Sequence, residues 1–241
     1  MVRLSVLRLF RTPIFIGICV ILPFISCTRE GFSKEYPTAK QGVLDLTRWD
    51  FEQEGPISLS GEWEFYWEKL LDDNNLAEEN IQRDRLFIEV PKIWNGQVIN
   101  GRKISGDGYA TYRLKILLQP QSKPMAFKFM SMGSAFRFYV NGEEVSSEGI
   151  VGTTRETMTP EWRPHVARYT PEGGQMEIIL HVSNFNHRKG GVFEPIKFGL
   201  VTDINRLREH NLVLSFVVFG SILIIGIYHI AIFIHRKRER A

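Results

Sequence analysis

One segment, Ser183 to Gly191, holds the densest group of side chains able to recognise a polar ligand and reads SNFNHRKGG. Asn184, His187 and Arg188 offer planar hydrogen-bonding groups, which sugar sites combine with an aromatic ring. They follow a strongly apolar stretch and precede two glycines, as in a loop at the end of a strand. Either these side chains bind a ligand, or they set the loop conformation and satisfy backbone carbonyls.

An aromatic ring for the apolar face of a sugar has three candidates, which are Trp94, Trp162 and Tyr109. Arg113, in the segment TYRLK, alternates away from the apolar side chains beside it. It therefore either lines a sheet surface that a ligand occupies or pairs with a glutamate on a neighbouring strand. The predicted ligand-binding residues are Trp94, Arg113, Asn184, His187 and Arg188.

Other chemistry has little support in the sequence. The histidines lack the spacing of zinc ligands, and no nucleophile motif or phosphate-binding loop is present. Glu62 and Glu64 could be an acid and a base, but we favour a solvated strand face for both. We predict no catalytic residue, no metal site and no cofactor. A structural calcium held by backbone carbonyls would leave no sequence signature.

The elements that must position these residues are β-strands. Between residues 42 and 200, apolar and polar residues alternate with period 2, separated by turn residues. Asn141-Gly142 is a strong signal for a two-residue hairpin turn. Side chains on the predicted core faces include Tyr112, Leu114, Ile116, Phe127, Phe129, Phe136, Phe138, Ile178 and Leu180. The pattern predicts an all-β domain, and a two-sheet sandwich rather than a closed barrel.

An apolar run from Leu212 to Ile234 follows this domain and contains no Asp, Glu, Lys or Arg. Its length matches the hydrocarbon thickness of a bilayer, so a transmembrane helix is favoured over a buried core helix. The basic segment 235–241 comes next, which predicts a cytoplasmic C-terminus and an extracytoplasmic domain. Residues 201–211 are a juxtamembrane linker, which we expect to form a short helix continuous with the span.

The N-terminus has the layout of a secretory signal, with Arg3, Arg8 and Arg11 before the apolar run Pro13 to Ile25. The residues Phe24-Ile25-Ser26-Cys27 resemble a loose bacterial lipobox, so Cys27 is a candidate lipidation site. Ordinary cleavage near Ser26 and an uncleaved anchor are the alternatives. We predict a signal peptide over 1–27 and a polar tether over 28–41.

Charge and cysteine content narrow the function classes. The formal net charge of +3 is explained by the two basic clusters beside apolar segments, so we expect no nucleic-acid partner. Both cysteines lie in or beside the N-terminal apolar run. The exported domain is therefore expected to fold by packing alone, without a disulfide.

Five segments in order carry a resemblance to a known family: LSGEWEF, PKIW, GDGYATYRLKI, FRFYVNGEEVSSEGIVG and HVSNFNHRKGG. Together they resemble the extracellular domain of bacterial seven-transmembrane receptors with diverse intracellular signalling modules. A more distant similarity is to the jelly-roll sugar-binding domain of β-galactosidase-type glycosidases. The resemblance covers about Leu44 to Gly199 and continues into the apolar helix, which is similar to the first of the seven.

The resemblance implies a galactose-binding-domain-like jelly-roll β-sandwich followed by one transmembrane helix, in the bacterial cytoplasmic membrane with the β-domain periplasmic. We expect a ligand-sensing receptor module that binds a carbohydrate or another small polar molecule, as a truncated receptor, as half of a split receptor or as a free-standing anchored binder. The implied partners are other transmembrane helices or a separate effector chain. The module that this domain resembles is the non-catalytic part of those glycosidases, so no enzyme activity is expected. The alternative is a membrane-anchored or lipidated carbohydrate-binding scaffold with no signalling output.

Overall fold

A computed structural model of the chain describes residues 36–76, 78–99, 101–120, 123–130, 132 and 134–238. The predicted signal peptide, Cys27 and the first part of the tether lie outside the described residues, so these remain predictions.

Alternating sequence patterns between residues 43 and 200 form β-strands, as expected. The strands are β1 (Val43–Leu46), β2 (Ile57–Ser58), β3 (Gly61–Trp67), β4 (Leu86–Val90), β5 (Lys92–Ile93), β6 (Val98–Ile99), β7 (Arg102–Lys103), β8 (Gly108–Leu118), β9 (Met125–Phe129), β10 (Ala135–Val140), β11 (Glu143–Glu148), β12 (His165–Tyr169), β13 (Gln175–Asn184), β14 (Gly191–Val192) and β15 (Lys197–Leu200). The helices of the described residues are α1 (Phe51–Glu54), α2 (Asp73–Leu76), α3 (Glu79–Arg83) and α4 (Val201–Arg238).

Two sheets face each other across the core. The larger has the order β11-β10-β13-β8-β3-β4, with β1 parallel to β8, and the smaller has the order β12-β9-β15-β2. From β8 to β10, and again from β11 to β13, the chain crosses between the sheets, as in a jelly roll. The structure therefore confirms the predicted β-sandwich followed by one long apolar helix.

The period-2 alternation in the sequence predicted correctly which side chains face the core. Tyr112 and Leu114 of β8 are fully buried, as are the predicted core residues of β9, β10 and β13. Aromatic rings join the two sheets: Phe127 lies 4.9 Å from Phe138, centroid to centroid. Burying a phenylalanine contributes about 1.5–3 kcal/mol, so this layer is a major part of the stability of the domain.

The two ends of the sandwich differ. At one end, Leu118 pairs with Leu46, and the β10–β11 hairpin turns at Asn141 and Gly142, whose φ angles are +49° and +81°. These angles confirm the predicted turn. The chain enters α4 at this end, because Leu200 pairs there with Met125. The opposite end, hereafter the distal end, carries the loops that follow β11 and β13.

Helix α4 begins at the residue after β15 and continues without a break for 38 residues, about 57 Å at 1.5 Å per residue. The N–H of Val201 donates to the carbonyl of Pro124 at 3.4 Å, and Ile204 is fully buried against the sandwich. The helix is long and apolar enough to cross a membrane. Its large apolar side chains from Leu212 to Ile234 are exposed, as expected of a surface that faces lipid.

Candidate functional site

Three loops meet at the distal end: residues 105–107 before β8, 149–163 between β11 and β12, and 185–190 after β13. We call them the distal site. Arg155 ties them together, because its Nη2 donates to Asp107 Oδ2 and its Nη1 donates to Asn186 Oδ1, both at 3.0 Å. The side chains of Arg155 and Asp107 are 56% and 52% exposed. An ion pair this exposed adds at most about 1 kcal/mol to stability, so the guanidinium can exchange partners at low cost.

Asn184 sets the path of the loop after β13. Its Nδ2 donates to the carbonyls of Gly106 and His187 at 2.8 and 2.7 Å, and its Oδ1 accepts the N–H of His187 at 2.9 Å. The residue is fully buried, and its donors and acceptor are used by the backbone. In this structure Asn184 therefore has the loop-setting role that was the alternative to ligand binding.

Trp94 lies beneath the distal site rather than on it. It is fully buried, its Nε1–H donates to the carbonyl of Gly106 at 3.0 Å, and its ring packs edge-on against Trp67 at 5.1 Å. A Cβ on Gly190 would lie 2.3 Å from Trp94 Nε1, so the loop backbone presses directly on the indole. The ring has no face open to a ligand, and direct ligand contact by Trp94 is not favoured by this burial.

An aromatic surface does lie at the distal end, and Trp162 is its most exposed member at 71%. The half-buried imidazole of His187 lies between Trp162 and Phe193, at centroid distances of 6.4 and 6.1 Å. Arg188 beside it is exposed, and its carbonyl accepts Asn95 Nδ2–H at 3.0 Å. The predicted residues His187 and Arg188 therefore remain accessible, next to a ring that could stack on a ligand.

A cleft of about 530 Å³ includes Asp107 of the distal site in its lining. Trp67, Glu68 and Arg102 are among its lining residues. This volume is within the range of small-molecule sites. The distal site thus offers an exposed ring on one side of the Arg155 bridge and a polar cleft with an aromatic wall on the other.

Arg113 is not part of this group. It lies on the outer face of the larger sheet, where its Nη1 donates to Glu64 Oε2 at 3.1 Å and its Nε donates to Glu177. Burial alone would lower the pKa of Arg113, but the hydrogen bonds and charges of Glu177 and Glu64 outweigh it and raise the pKa. The guanidinium is therefore always charged, and it pairs with glutamates of neighbouring strands, one of the two expected roles.

Glu64 is only 8% exposed, so the expected solvated face is wrong for this residue. A segment we call the strap, residues 69–76 and 78–85, crosses the outer face of the sheet beside it. Leu71 fixes the strap: its N–H donates to Thr111 at 2.9 Å and its carbonyl accepts His181 Nε2–H at 2.7 Å. Arg85, the last residue of the strap, pairs with Glu64 at 3.3 Å. The alternation of apolar and polar residues along the strand identifies its outward face correctly but does not show which segment covers that face.

Within the described residues, no group of three or more His, Cys, Asp or Glu side chains is placed to hold a metal ion. Sequence reasoning missed Arg155 and Asp107 as parts of the distal site. They are 48 residues apart and lie in different loops, so no local spacing connects them.

No family model and no curated protein matches this chain. Solved structures with some similarity include a putative β-galactosidase from Bacteroides fragilis, at 19% identity and a TM-score of 0.41, over 59% of this chain and 22% of that one. The Ruminococcus gnavus β-glucuronidase matches at 14% identity and a TM-score of 0.43, over 60% of this chain and 29% of that one. The Faecalibacterium prausnitzii β-glucuronidase matches at 13% identity and a TM-score of 0.42, over 59% of this chain and 31% of that one. The match spans less than a third of each of these proteins, and similarity at this level assigns no activity to the chain.

Proposed function

We propose that this chain is a membrane-anchored, extracytoplasmic module that binds a carbohydrate or another small polar ligand at the distal site. The observation that carries the proposal is the exposure of Trp162, at 71%, beside His187, whose neighbour Asn186 accepts a hydrogen bond from Arg155. Covering the exposed indole with a ligand is favourable because it removes apolar surface from water. The adjacent planar groups can form hydrogen bonds with hydroxyls at the edge of the ligand. Sugars present both kinds of surface.

A short path along the chain supports coupling of this site to the membrane. Phe193 contacts His187 at the site and is eight residues from Val201, where α4 begins. Between them, Ile196 and Phe198 are fully buried, so this stretch is held in the core. A displacement of the loop would therefore be transmitted to the helix rather than absorbed by a flexible linker. We propose that the output partner is a set of further transmembrane helices or a separate effector chain.

The scaffold alternative has one observation in its favour. Arg155 joins the distal loops through the side chains of Asp107 and Asn186, an arrangement that holds the loops in place and favours a fixed site. A site of this kind serves a protein that holds an envelope glycan without signalling. We propose no catalytic role for either case.

The test is binding of the full chain, in detergent or a lipid nanodisc, to a panel of mono- and oligosaccharides by calorimetry. We expect a ligand whose dissociation constant rises at least tenfold, about 1.4 kcal/mol, in Trp162→Ala. Phe87→Ala is the matched control, because Phe87 is a 40% exposed aromatic on strand β4 and outside the site. The proposal fails if no polar ligand binds, or if Trp162→Ala binds like the wild type.

A further inference from the structure

A cavity separate from the distal site lies between the strap and the outer face of the larger sheet. It has a volume of about 530 Å³, within the range of small-molecule sites, and Leu70, Leu71 and Asp72 of the strap form one side of it. Strands β10 and β13 form the other side, together with Gly142 in the turn after β10. The cavity therefore lies toward the end of the sandwich where α4 begins, and it shares no residue with the distal site.

His181 gives this cavity a buried hydrogen-bond acceptor. The residue is 9% exposed, and its Nε2 lies 2.7 Å from the carbonyl oxygen of Leu71, so Nε2 must carry the proton and donate. Burial lowers the pKa of His181, so the ring is neutral at neutral pH. Nδ1 is then the unprotonated nitrogen, and no described residue donates a hydrogen bond to it. An imidazole that is almost fully buried thus has an acceptor without a partner on the wall of a cavity.

Asp72 adds a carboxylate on the strap side of the cavity. Its Oδ1 accepts the N–H of Asn75 at 3.0 Å, and its carbonyl accepts the N–H of Leu76, so the residue caps the N-terminus of α2. Its Oδ2 has no hydrogen-bond partner among the described residues. The cap fixes the position of the carboxylate and leaves one oxygen for a ligand.

The remaining walls are apolar and aromatic. Leu71 and Ile179 are 7% and 3% exposed. The half-buried ring of Tyr139 packs edge-on against the imidazole of His181, with 5.2 Å between the ring centroids. Tyrosine rings attract cations to their faces, and apolar walls favour a ligand with an apolar body.

The charges around the cavity select the sign of the ligand. Among the described residues that line it, none is Lys or Arg. The charged groups that act on His181 are Asp72 of the strap, Glu144 of β11 and Arg137 of β10, which is two carboxylates against one guanidinium. An anion would meet the carboxylate of Asp72 and the lone pair of Nδ1, and both repel it. A cation with N–H groups would find an opposite charge and an acceptor.

We propose that this cavity binds a small organic amine, with its ammonium group between Asp72 and His181 and its apolar body against Tyr139 and Ile179. An ammonium group has N–H donors for both Asp72 Oδ2 and His181 Nδ1. The site is independent of the proposed function, because it uses other residues at the other end of the domain. A bound amine would join the strap to strands β10 and β13.

The test is calorimetric titration of the full chain in lipid nanodiscs with phenethylamine at about pH 7.5, where the amine is charged and His181 is neutral. Phenethyl alcohol and phenylacetate are the comparison ligands, because they keep a similar apolar body and replace the ammonium by a hydroxyl or a carboxylate. Titration of empty nanodiscs corrects for partition into the lipid. We expect the amine to bind, and each comparison ligand to bind at least tenfold more weakly.

Three variants place the site. Asp72→Asn keeps the cap on Asn75 but removes the charge, so the dissociation constant of the amine should rise about fivefold while that of phenethyl alcohol is unchanged. Tyr139→Leu removes the ring from the sheet side and should weaken amine binding at least threefold. Glu78→Gln removes an exposed carboxylate of the strap that does not line the cavity, and it should bind like the wild type.

Three results would overturn the proposal. The first is no binding of the amine, and the second is binding of phenethyl alcohol or phenylacetate as tight as that of the amine. The third is an equal effect of Asp72→Asn and Glu78→Gln, whether both bind like the wild type or both weaken binding, because the charge of Asp72 would then have no special role.

Discussion

Two arginines of this domain each join two side chains, but in different places. Arg113 binds Glu64 and Glu177 between strands, whereas Arg155 binds Asp107 and Asn186 between loops. The side chains of Arg113 and Glu64 are 26% and 10% exposed, against 56% and 52% for Arg155 and Asp107. The Arg113 pairs are thus largely shielded from water, whereas the Arg155 pair is open to it. The difference lies in what surrounds each arginine, and substitution of each arginine tests it.

The largest expected effect is that of Arg113→Ala. It leaves the nearly buried carboxyl group of Glu64 dependent on Arg85 and Tyr66, so we expect a loss of about 2–3 kcal/mol in the free energy of unfolding. Urea unfolding of the full chain in detergent, followed by tryptophan fluorescence, measures it. Arg137→Ala, an exposed arginine of β10, is the control and should cost less than about 0.5 kcal/mol. Equal losses in the two variants would contradict a structural role for the buried network.

A smaller effect concerns the pH dependence of the strap. Burial lowers the pKa of His181, and Arg137 lowers it further; the carbonyl of Leu71 and the charges of Asp72 and Glu144 raise it, but burial prevails. The unfolded state therefore binds the proton more readily. Stability should fall as the pH drops below the ordinary histidine pKa toward the lowered one.

His181→Gln provides the comparison, because its amide can still donate to the carbonyl of Leu71 but does not titrate. Unfolding free energies measured across this pH range should converge for the two proteins as the pH falls. A parallel pH dependence in both would show that another group is responsible.

The smallest expected effect on stability is that of Arg155→Ala, at less than about 1 kcal/mol, because the ion pair is exposed. The same variant should weaken sugar binding about tenfold, about 1.4 kcal/mol, in the calorimetric assay. A loss of stability as large as that of Arg113→Ala would remove the distinction between the two arginines.

Local patterns predicted the fold well. Alternation placed Tyr112, Leu114 and their counterparts on the core face, and Asn141-Gly142 placed a turn, because both signals depend on neighbours in sequence. The apolar run of α4 predicts a long helix for the same reason, because its signal lies in consecutive residues. The surface that the strap covers could not be foreseen, because the polar sequence of the strap says nothing of the sheet face beneath it.

The candidate site was only partly predictable. His187 and Arg188 lie together because they belong to one segment, and the end of β13 could be read from its apolar pattern. Trp94 and Trp162 are indistinguishable by residue type, yet one is 0% and the other 71% exposed. That difference arises from the packing of Gly190 and Trp67 around Trp94, which no spacing in the sequence reveals.

Because β15 continues directly into α4, the sandwich has a fixed rotation about the axis of the helix. An α-helix turns 100° per residue, so the direction in which the distal site faces is set by the number of residues between Val201 and the membrane. One residue inserted into 205–211 would rotate the whole domain by about 100° around the helix axis and raise it by about 1.5 Å. Seven inserted residues would return it close to its original heading, about 10 Å farther from the bilayer. For any partner that contacts both the sandwich and the membrane, the rotation of the domain about the helix axis decides which face of the domain the partner meets.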